Sequence, residues 1–272
     1  MSKADFDGQI VIVTGGSTGL GRAIAVEVAD RGAKAVIVNY ARSAREAEET
    51  ADKVRSAGAE AILAQGDVGQ DGDCAGIAEF ARPFGRVDAL FNNAGTTVFA
   101  PDHSKLDAVS ADDFLRIYRV NVVGAYQMIR AARALLEAAP APGAVVNTAS
   151  IAAILGIGTS VPYAASKGAM KTMTLSLARA LAPKIRVNAI LPGFIDTPWF
   201  EKANMPTESM NRMRENVAAT TPLRVASQPE DIAAAAVFLA SPAARHITGE
   251  SLVCDAGTHM GFANQPLAAQ AR

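Results

Sequence analysis

The sequence contains little that would support disulfide bonds, a metal site or a highly charged partner. Only two cysteines, Cys74 and Cys254, occur in 272 residues, far apart and outside any CxxC pair, which favours a reducing compartment. The three histidines, His103, His246 and His259, lack the i, i+4 spacing of a helical ligand pair, so we predict no metal site. The net charge is −1 without any basic run, which argues against a nucleic-acid partner.

Long apolar runs are also missing. No stretch reaches the length of a membrane-spanning helix, and the opening MSKADFDGQIVIVTGG lacks the charged segment and apolar run of a secretory leader. We therefore expect a cytoplasmic protein with no membrane partner. Hydrophobic residues make up 50% of the chain and charged residues 19%, which is typical of a globular enzyme.

Short apolar runs alternate with helical patterns along the chain. Apolar strands that alternate with helices form parallel sheets covered by helices on both faces, so we predict an α/β fold of three layers. No linker or shift in composition divides residues 1–272, which predicts one domain with a tail over about 261–272. The predicted strands are 9–14, 34–39, 60–65, 87–95, 144–150, 185–193 and 250–257. The predicted helices are 19–32, 43–57, 71–82, 111–138, 162–182 and 229–240, with a looser stretch before 229.

The best-marked strand end is the glycine-rich turn from Thr14 to Gly21, after the first predicted strand. Ligands of parallel α/β sheets bind at the carboxyl ends of the strands. Glycines permit a tight turn and a close approach of the backbone to a pyrophosphate, and the helix N-terminus behind them offers unpaired N–H groups. The turn lies between a strand and a helix, which is the context that a phosphate site requires.

A second candidate site lies between Ser150 and Lys167. Tyr163 and Lys167 are four residues apart in a predicted helix, so their side chains lie on one face. A phenol has a pKa of about 10, and a nearby ammonium group favours the phenolate and lowers that pKa. Ser150 follows a predicted strand, where its hydroxyl could hold a carbonyl oxygen beside the phenol. This arrangement suits proton transfer at an alcohol oxygen, although the pair alone also fits a solvated helix face.

Together these motifs resemble the short-chain dehydrogenase/reductase family, in its branch of about 250 residues, over residues 8–257. The resemblance is carried by the spacing TGxxxGxG rather than GxGxxG, and by a series of residues in the same order. These are Asp67-Val68, Asn92-Asn93-Ala94-Gly95, Asn121, Ser150, Tyr163, Lys167, Pro192-Gly193 and Thr197.

The resemblance implies a doubly wound, Rossmann-like sheet of seven strands and an NAD(P)-dependent oxidoreductase that assembles as a homotetramer or homodimer. It implies that Tyr163 is the general acid in reduction and the general base in oxidation. Lys167 would bind the nicotinamide ribose and lower the pKa of Tyr163, Ser150 would orient the carbonyl, and Asn121 would support a water through which protons leave. The implied cofactor-binding residues are Gly15, Ser17, Thr18, Gly19, Leu20, Gly21, Asn39, Tyr40, Arg42, Asp67, Val68, Asn93, Ala94, Gly95, Tyr163, Lys167, Pro192, Gly193, Ile195 and Thr197.

The end of the second strand favours NADP(H) as the cofactor. An enzyme specific for NAD would place Asp or Glu there to bind the ribose hydroxyls. This sequence has Asn39-Tyr40-Ala41-Arg42 instead, and an arginine can pair with a 2′-phosphate. NAD(H) and dual use remain open, because Thr18 occupies a position where many relatives that prefer NADP carry a basic residue.

The stretch 194–228 corresponds to the family's substrate loop and is rich in large apolar side chains. Such side chains favour an adaptable pocket for a neutral ketone or secondary alcohol. They could equally form a packed lid without substrate contact. The residues concerned are Phe194, Trp199, Phe200, Met205, Met210 and Met213, with Leu155, Ile157 and Val161 from the earlier loop.

Three alternatives remain open. A 3-oxoacyl-[acyl-carrier-protein] reductase would need basic residues to dock an acidic carrier, and the segment at 137–143 is acidic and apolar, leaving only Arg130 and Arg133. A polyol or sugar dehydrogenase would need a more polar pocket. A cofactor-binding protein without catalysis is a remote third, because all four catalytic positions are filled.

Overall fold

The computed structural model describes residues 5–199 and 207–261, and within them seven strands form one parallel sheet. The order across the sheet is β3-β2-β1-β4-β5-β6-β7. The predicted doubly wound parallel sheet is therefore confirmed, while the single-domain organisation of residues 1–272 stays a prediction. The strands are β1 (Ile10–Val13), β2 (Ala35–Tyr40), β3 (Glu60–Gln65), β4 (Ala89–Asn92), β5 (Gly143–Thr148), β6 (Ile185–Pro192) and β7 (Ser251–Cys254).

The helices agree with the predicted pattern except at three places. A short helix, Ala152–Leu155, lies where the sequence predicts none. The long helix predicted over 111–138 is divided by a π-helical segment, Arg119–Gly124. A helix also forms within the stretch predicted to be loose, where Met210 is its one buried residue, so its apolar periodicity is weak. The helices are α1 (Gly19–Asp30), α2 (Ala44–Ser56), α3 (Asp71–Glu79), α4 (Ala111–Tyr118), α5 (Ala125–Glu137), α6 (Ala152–Leu155), α7 (Val161–Leu181), α8 (Thr207–Thr220) and α9 (Pro229–Ala240).

The two faces of the sheet bury alternate side chains of the same strands. On β1, Val11 and Val13 belong to one buried cluster, and Ile10 and Ile12 belong to another. Each fully buried aliphatic side chain stabilises the fold by about 1.5–3 kcal/mol. The first cluster includes residues of α1 and α9, and the second includes residues of α3, α5 and α7. Helices therefore cover both faces, which gives the predicted three layers.

Local sequence signals fix the start of the helix that carries the predicted acid. The Ser160 hydroxyl accepts a hydrogen bond from the Tyr163 backbone N–H at 3.3 Å, and Pro162 lies in the first turn. Ser110 and Asp113 form a reciprocal capping box at the start of α4. Tyr163 is thus held in the first turn of α7 by a cap that the sequence encodes locally.

Candidate active site

The glycine-rich turn after β1 is fixed to the turn after β4 by one threonine and one asparagine. The Thr14 hydroxyl donates to the Phe91 carbonyl at 3.2 Å and accepts from the backbone N–H groups of Asn93 and Ala94 at 3.0 and 3.1 Å. The Asn93 amide nitrogen donates to the carbonyls of Thr14 and Gly15, both at 3.2 Å. These bonds set the width of the cleft floor between the two strand ends.

Two positions in this turn require glycine. A Cβ atom at Gly21 would lie 2.2 Å from the Gly15 carbonyl oxygen, which no side chain tolerates. Gly15 has a φ of +61°, and a Cβ atom there would lie 2.9 Å from the Ala94 Cα. The N-cap of α1, Thr18, makes no side-chain cap within the described residues, so the helix N-terminus opens toward the cleft.

Ser150, Tyr163 and Lys167 converge on this cleft from β5 and α7. The Lys167 Nζ donates to the Thr148 carbonyl at 2.7 Å and lies 5.5 Å from the centre of the Tyr163 ring. The Ser150 hydroxyl accepts from the Ala152 backbone N–H at 3.1 Å, donates to the Pro192 carbonyl at 3.5 Å and lines the cleft together with Tyr163. The predicted acid, its orienting hydroxyl and the ammonium group therefore share one site.

The protonation equilibria of this group are shifted by burial. Burial raises the pKa of the Tyr163 phenol, and the hydrogen bond with Ser150 only partly offsets this effect. Burial also lowers the pKa of Lys167 to about 8. Lys167 is not a cause of the Tyr163 shift in this arrangement, where its ammonium group donates to the Thr148 carbonyl, so the lowering of the Tyr163 pKa by Lys167 stays a prediction.

Asn121 lies in the π-helical segment and is fully buried. Its Oδ1 accepts from the Thr96 backbone N–H at 2.8 Å. Its Nδ2 donates to the Thr96 carbonyl and to the Ser166 hydroxyl, both at 3.0 Å. Both polar atoms of the side chain thus have partners within the protein, and they connect the strand end after β4 to α7. π-Helical turns occur often at functional sites.

The cleft has a volume of about 700 Å³, and twelve of the predicted site residues line it. These are Thr18, Gly19, Leu20, Asn93, Gly95, Ser150, Tyr163, Lys167, Pro192, Gly193, Ile195 and Thr197. Its other walls include Phe99, Pro101, Ile151, Ala152, Thr159, Val217, Thr220, Thr221 and Thr258. Lys167 is the only ionisable side chain besides Tyr163 among the described residues that line the cleft.

The predicted substrate loop contributes only part of its apolar residues to the cleft. Phe194, Trp199, Met213 and Ile157 line it, and the Trp199 ring lies 6.4 Å from the Tyr163 ring at a tilt of 56°. The other predicted residues that the structure describes do not line it. Met210 is buried in the fold, Leu155 and Val161 are exposed outside the cleft, and Phe200 and Met205 lie outside the described residues.

An ion pair holds the loop after β6 to helix α8. The Asp196 carboxylate accepts two hydrogen bonds from the Arg214 guanidinium, at 2.6 and 2.8 Å, and these bonds lower the pKa of Asp196. The Asp196 backbone N–H donates to the Ser227 carbonyl at 2.9 Å. The cleft wall formed by Phe194 and Met213 is therefore fixed at its base.

Away from the cleft, at the ends of β2 and β3, the predicted cofactor residues have other partners. Asn39 is 2% exposed: its Oδ1 accepts from the Gly15 N–H at 3.2 Å, and its Nδ2 donates to the carbonyls of Ala64 and Gly66 at 3.0 Å. The Asp67 carboxylate accepts from the Gly69 N–H at 2.9 Å.

The other predicted residues outside the cleft differ in exposure. Val68 is buried against Gly124, and Ser17 is nearly buried. Arg42 is exposed, and within residues 5–199 and 207–261 its guanidinium has no ion-pair or hydrogen-bond partner. Gly15, Gly21, Tyr40, Ala94 and Asn121 also do not line the cleft.

Known proteins resemble this chain in sequence and in structure. A solved structure from Burkholderia xenovorans, described as a short-chain dehydrogenase/reductase, superposes with a TM-score of 0.82 at 39% identity, covering 93% of this chain and 98% of that one. A family model described as enoyl-(acyl carrier protein) reductase matches residues 15–259. The chain belongs to the short-chain dehydrogenase/reductase family. It is an oxidoreductase of that family, whose members bind NAD(P).

Curated relatives in this family differ in substrate. A protein of Streptomyces violaceoruber described as ketoacyl reductase 2 of the granaticin polyketide synthase is 37% identical, covering 92% of this chain and 96% of its own. The L-rhamnose 1-dehydrogenase (NAD(P)(+)) of a Sphingomonas species is 36% identical, covering 94% and 98%. Family membership therefore defines the class of reaction but not the substrate, which depends on the side chains that line the cleft.

The described residues fit the dinucleotide that short-chain dehydrogenase/reductases bind. Thr18, Gly19 and Leu20 line the cleft, and the uncapped start of α1 is suited to a diphosphate. Gly19 lies close to Thr197, since a Cβ atom at Gly19 would lie 3.1 Å from the Thr197 Cγ2. Lys167 lies further along the same cleft, beside Gly95.

Sequence reasoning missed two side chains that shape the site. Arg22 donates to the Ser17 carbonyl at 2.9 Å and to the Thr50 hydroxyl at 2.9 Å, which fastens the glycine-rich turn to α2. Ser166, next to Lys167 in the chain, bonds to Asn121. Arg22 and Thr50 are 28 residues apart, so no local pattern links them. Ser166 could be singled out from the sequence, because it lies between Tyr163 and Lys167.

Proposed function

We propose that this protein is an NADP(H)-dependent reductase that interconverts neutral, fairly apolar ketones and secondary alcohols. The observation that carries the proposal is the convergence of Ser150, Tyr163 and Lys167 in a cleft that is continuous with the glycine-rich turn and lined mainly by apolar side chains. The Ser150 and Tyr163 side chains line the same cleft, and the Ser150 hydroxyl partly offsets the raised pKa of Tyr163, which supports a carbonyl oxygen that contacts both.

In the proposed reaction, the nicotinamide supplies a hydride to the carbonyl carbon when the cofactor is bound. Tyr163 donates its phenolic proton to the carbonyl oxygen, and Ser150 orients that oxygen. Lys167 holds the nicotinamide ribose and stabilises the phenolate left on Tyr163. Asn121 holds the π-helical segment in place. A water next to this segment would return a proton to Tyr163. Oxidation runs through the same groups in reverse, with Tyr163 as the base.

The preference for an apolar substrate rests on how the other cleft hydroxyls are used. The hydroxyls of Thr220, Thr221 and Thr258 donate to backbone carbonyls of Asn216, Val225 and Asp255 at 2.8, 3.1 and 2.6 Å. The Thr159 hydroxyl bonds to that of Thr97 at 2.6 Å. A site that selects a polyol needs polar groups without partners in the protein, because hydrogen bonds between these groups and the substrate hydroxyls provide the selectivity. This cleft offers such groups mainly at Ser150 and Tyr163, which disfavours a sugar.

The preference for NADP(H) rests on Arg42. Its guanidinium is exposed and, within the described chain, unpaired beside the end of β2, so it is available to a 2′-phosphate. Neighbouring Arg45 is instead close to Glu46 and Glu49. NAD(H) use remains the alternative, because Thr18 occupies a position where many relatives that prefer NADP(H) carry a basic residue.

A carrier-tethered substrate is the second candidate, and the ketoacyl reductase relative favours it. The two arginines considered for carrier docking are paired within the chain, Arg130 with Asp71 and Arg133 with Glu137. Acidic carrier surfaces dock on cations that are free to pair with them. These ion pairs therefore count against the carrier as the main substrate form.

We also propose a cytoplasmic homotetramer, or a homodimer, formed through the long helices. α4, α5 and the π-helical segment between them expose several large apolar side chains, which mark interaction surfaces when they are contiguous. These side chains are Phe114, Leu115, Val123 and Tyr126. Among the described residues, no helix has the length and apolarity to cross a bilayer.

The deciding experiment follows oxidation of NADPH and of NADH by the purified protein against four substrates: an aryl ketone, an aliphatic ketone, a 3-oxoacyl thioester and a keto-sugar. We expect turnover of the bulky neutral ketones, with lower KM for NADPH than for NADH. Faster turnover of the thioester would instead indicate a carrier-tethered 3-oxoacyl substrate. NADPH binding without turnover of any carbonyl would support a non-catalytic protein.

A further inference from the structure

The hydroxyl of Ser166 joins two parts of the site that the sequence places 45 residues apart. Ser166 is fully buried. Its hydroxyl donates to the Tyr163 carbonyl at 2.7 Å and accepts from the Asn121 Nδ2 at 3.0 Å. Asn121 is in turn bonded twice to the backbone of Thr96, which follows Gly95 in the cleft wall. A single chain of hydrogen bonds thus runs from the cleft wall to the turn that carries Tyr163.

This contact is more than the ordinary bond of a helical serine to the preceding turn. Such a bond satisfies the serine hydroxyl locally and needs no third partner. Here the same oxygen accepts from a buried amide on another element, in a dry environment where loss of either partner leaves a polar atom unsatisfied. The hydroxyl therefore fixes the distance between the π-helical segment and the first turn of α7.

We propose that Ser166 is a positioning residue that fixes Asn121 against the turn carrying Tyr163, and the proposal rests on the function proposed above. Ser166 touches neither substrate nor cofactor. Its removal lets the π-helical segment and the first turn of α7 move apart, so that Tyr163 meets the carbonyl oxygen in a poorer geometry. A misplacement of about 1 Å in such a group can reduce the rate by roughly 10²-fold.

Ser166→Ala is compared with Ser241→Ala, a control with the same local bond. The Ser241 hydroxyl is also buried and donates to the carbonyl three residues earlier, that of Phe238, at 2.8 Å, but at the far end of α9. We expect both variants to lower the melting temperature, Ser166→Ala by more, because it also leaves the buried Asn121 Nδ2 without one of its acceptors. Ser166→Ala should lower kcat by about tenfold or more with less than about twofold change in KM for NADPH, within the range for misplaced groups. Ser241→Ala should keep the wild-type kcat.

A double-mutant cycle tests whether Ser166 acts through Asn121. If it does, Ser166→Ala combined with Asn121→Ala has the same kcat as Asn121→Ala alone. Multiplication of the two single effects would overturn the proposal. So would a Ser166→Ala enzyme whose kcat matches that of Ser241→Ala.

Hydrogen exchange keeps this test separate from the proposed function. Faster exchange at 119–124 and 161–167 in Ser166→Ala than in Ser241→Ala supports the link, even if no ketone is reduced by the wild type. Unchanged exchange there overturns it, even if the wild type is an active reductase. Failure of the wild type on every carbonyl overturns the proposed function alone.

Discussion

The two ends of the predicted dinucleotide site use their polar side chains differently. At the β5–β6 end, Ser150, Tyr163 and Lys167 line the cleft. At the β2–β3 end, Asn39 and Asp67 direct their polar atoms to backbone groups of the protein. The predicted site therefore contains residues that line the cleft and residues that hold the scaffold in shape. Which of the two a residue does cannot be inferred from its presence in the motif.

The largest expected effect comes from removing the acid at the reactive end. Tyr163→Phe should lower kcat by about 10²–10⁴-fold, the range for loss of a general acid, while the Kd for NADPH stays near wild type. The measurements are steady-state turnover and NADPH fluorescence. Tyr118→Phe is the control, since Tyr118 stacks on Phe114 in α4 and does not line the cleft. A Tyr163→Phe enzyme at near wild-type rate would assign the acid to another group.

Removing Asn39 at the scaffold end should cost stability and cofactor affinity together. Asn39→Ala breaks three hydrogen bonds to backbone groups, at about 1 kcal/mol each, so we expect a loss of about 2–4 kcal/mol in urea unfolding. Asn188→Ala is the matched control, because Asn188 is equally buried and bonds to Ile247 and Glu250 away from the glycine-rich turn. It should lose similar stability and keep its NADPH affinity. Equal affinities in both variants would contradict the scaffold role of Asn39.

The buried Lys167 at the reactive end makes the free energy of unfolding depend on pH. Its folded pKa of about 8 lies below the ordinary 10.5, so between these pH values the unfolded chain binds more protons than the folded chain. The free energy of unfolding of the wild type should therefore rise with pH through this window relative to Lys167→Met, by at most roughly 3 kcal/mol. Urea unfolding at several pH values measures the difference, with the exposed Lys171→Met as the control for a lost lysine. A difference that does not change with pH would contradict burial as the cause.

The smallest effect is expected at the exposed arginine of the scaffold end. Arg42→Ala should raise the Kd for NADPH about tenfold, equivalent to 1.4 kcal/mol, and leave that for NADH unchanged. Arg45→Ala, three residues along and close to Glu46 and Glu49, should change neither. Both constants are measurable by fluorescence titration. Equal weakening of both cofactors by Arg42→Ala would remove it from the phosphate site.

Much of the fold was predictable because its signals are local. Short apolar runs placed the strands, and the helical pattern over 162–182 placed α7. Helix α8 was missed because it buries only Met210, so periodicity could not separate it from a loop. The π-helical segment was missed because Asn121 lies in a continuous helical pattern. Asn121 stabilises this segment through hydrogen bonds to Thr96 and Ser166, and both residues are distant from it in the chain.

The sequence by itself determined the parallel sheet, the glycine-rich turn and the spacing that puts Tyr163 and Lys167 on one helix face. These follow from periodicity and from backbone geometry, which act over a few residues. Only the tertiary structure decided that Asn39 faces inward, that Lys167 bonds to the Thr148 carbonyl and that burial raises the pKa of Tyr163. Such outcomes depend on which elements pack together and how much water they exclude, and distant parts of the chain set both.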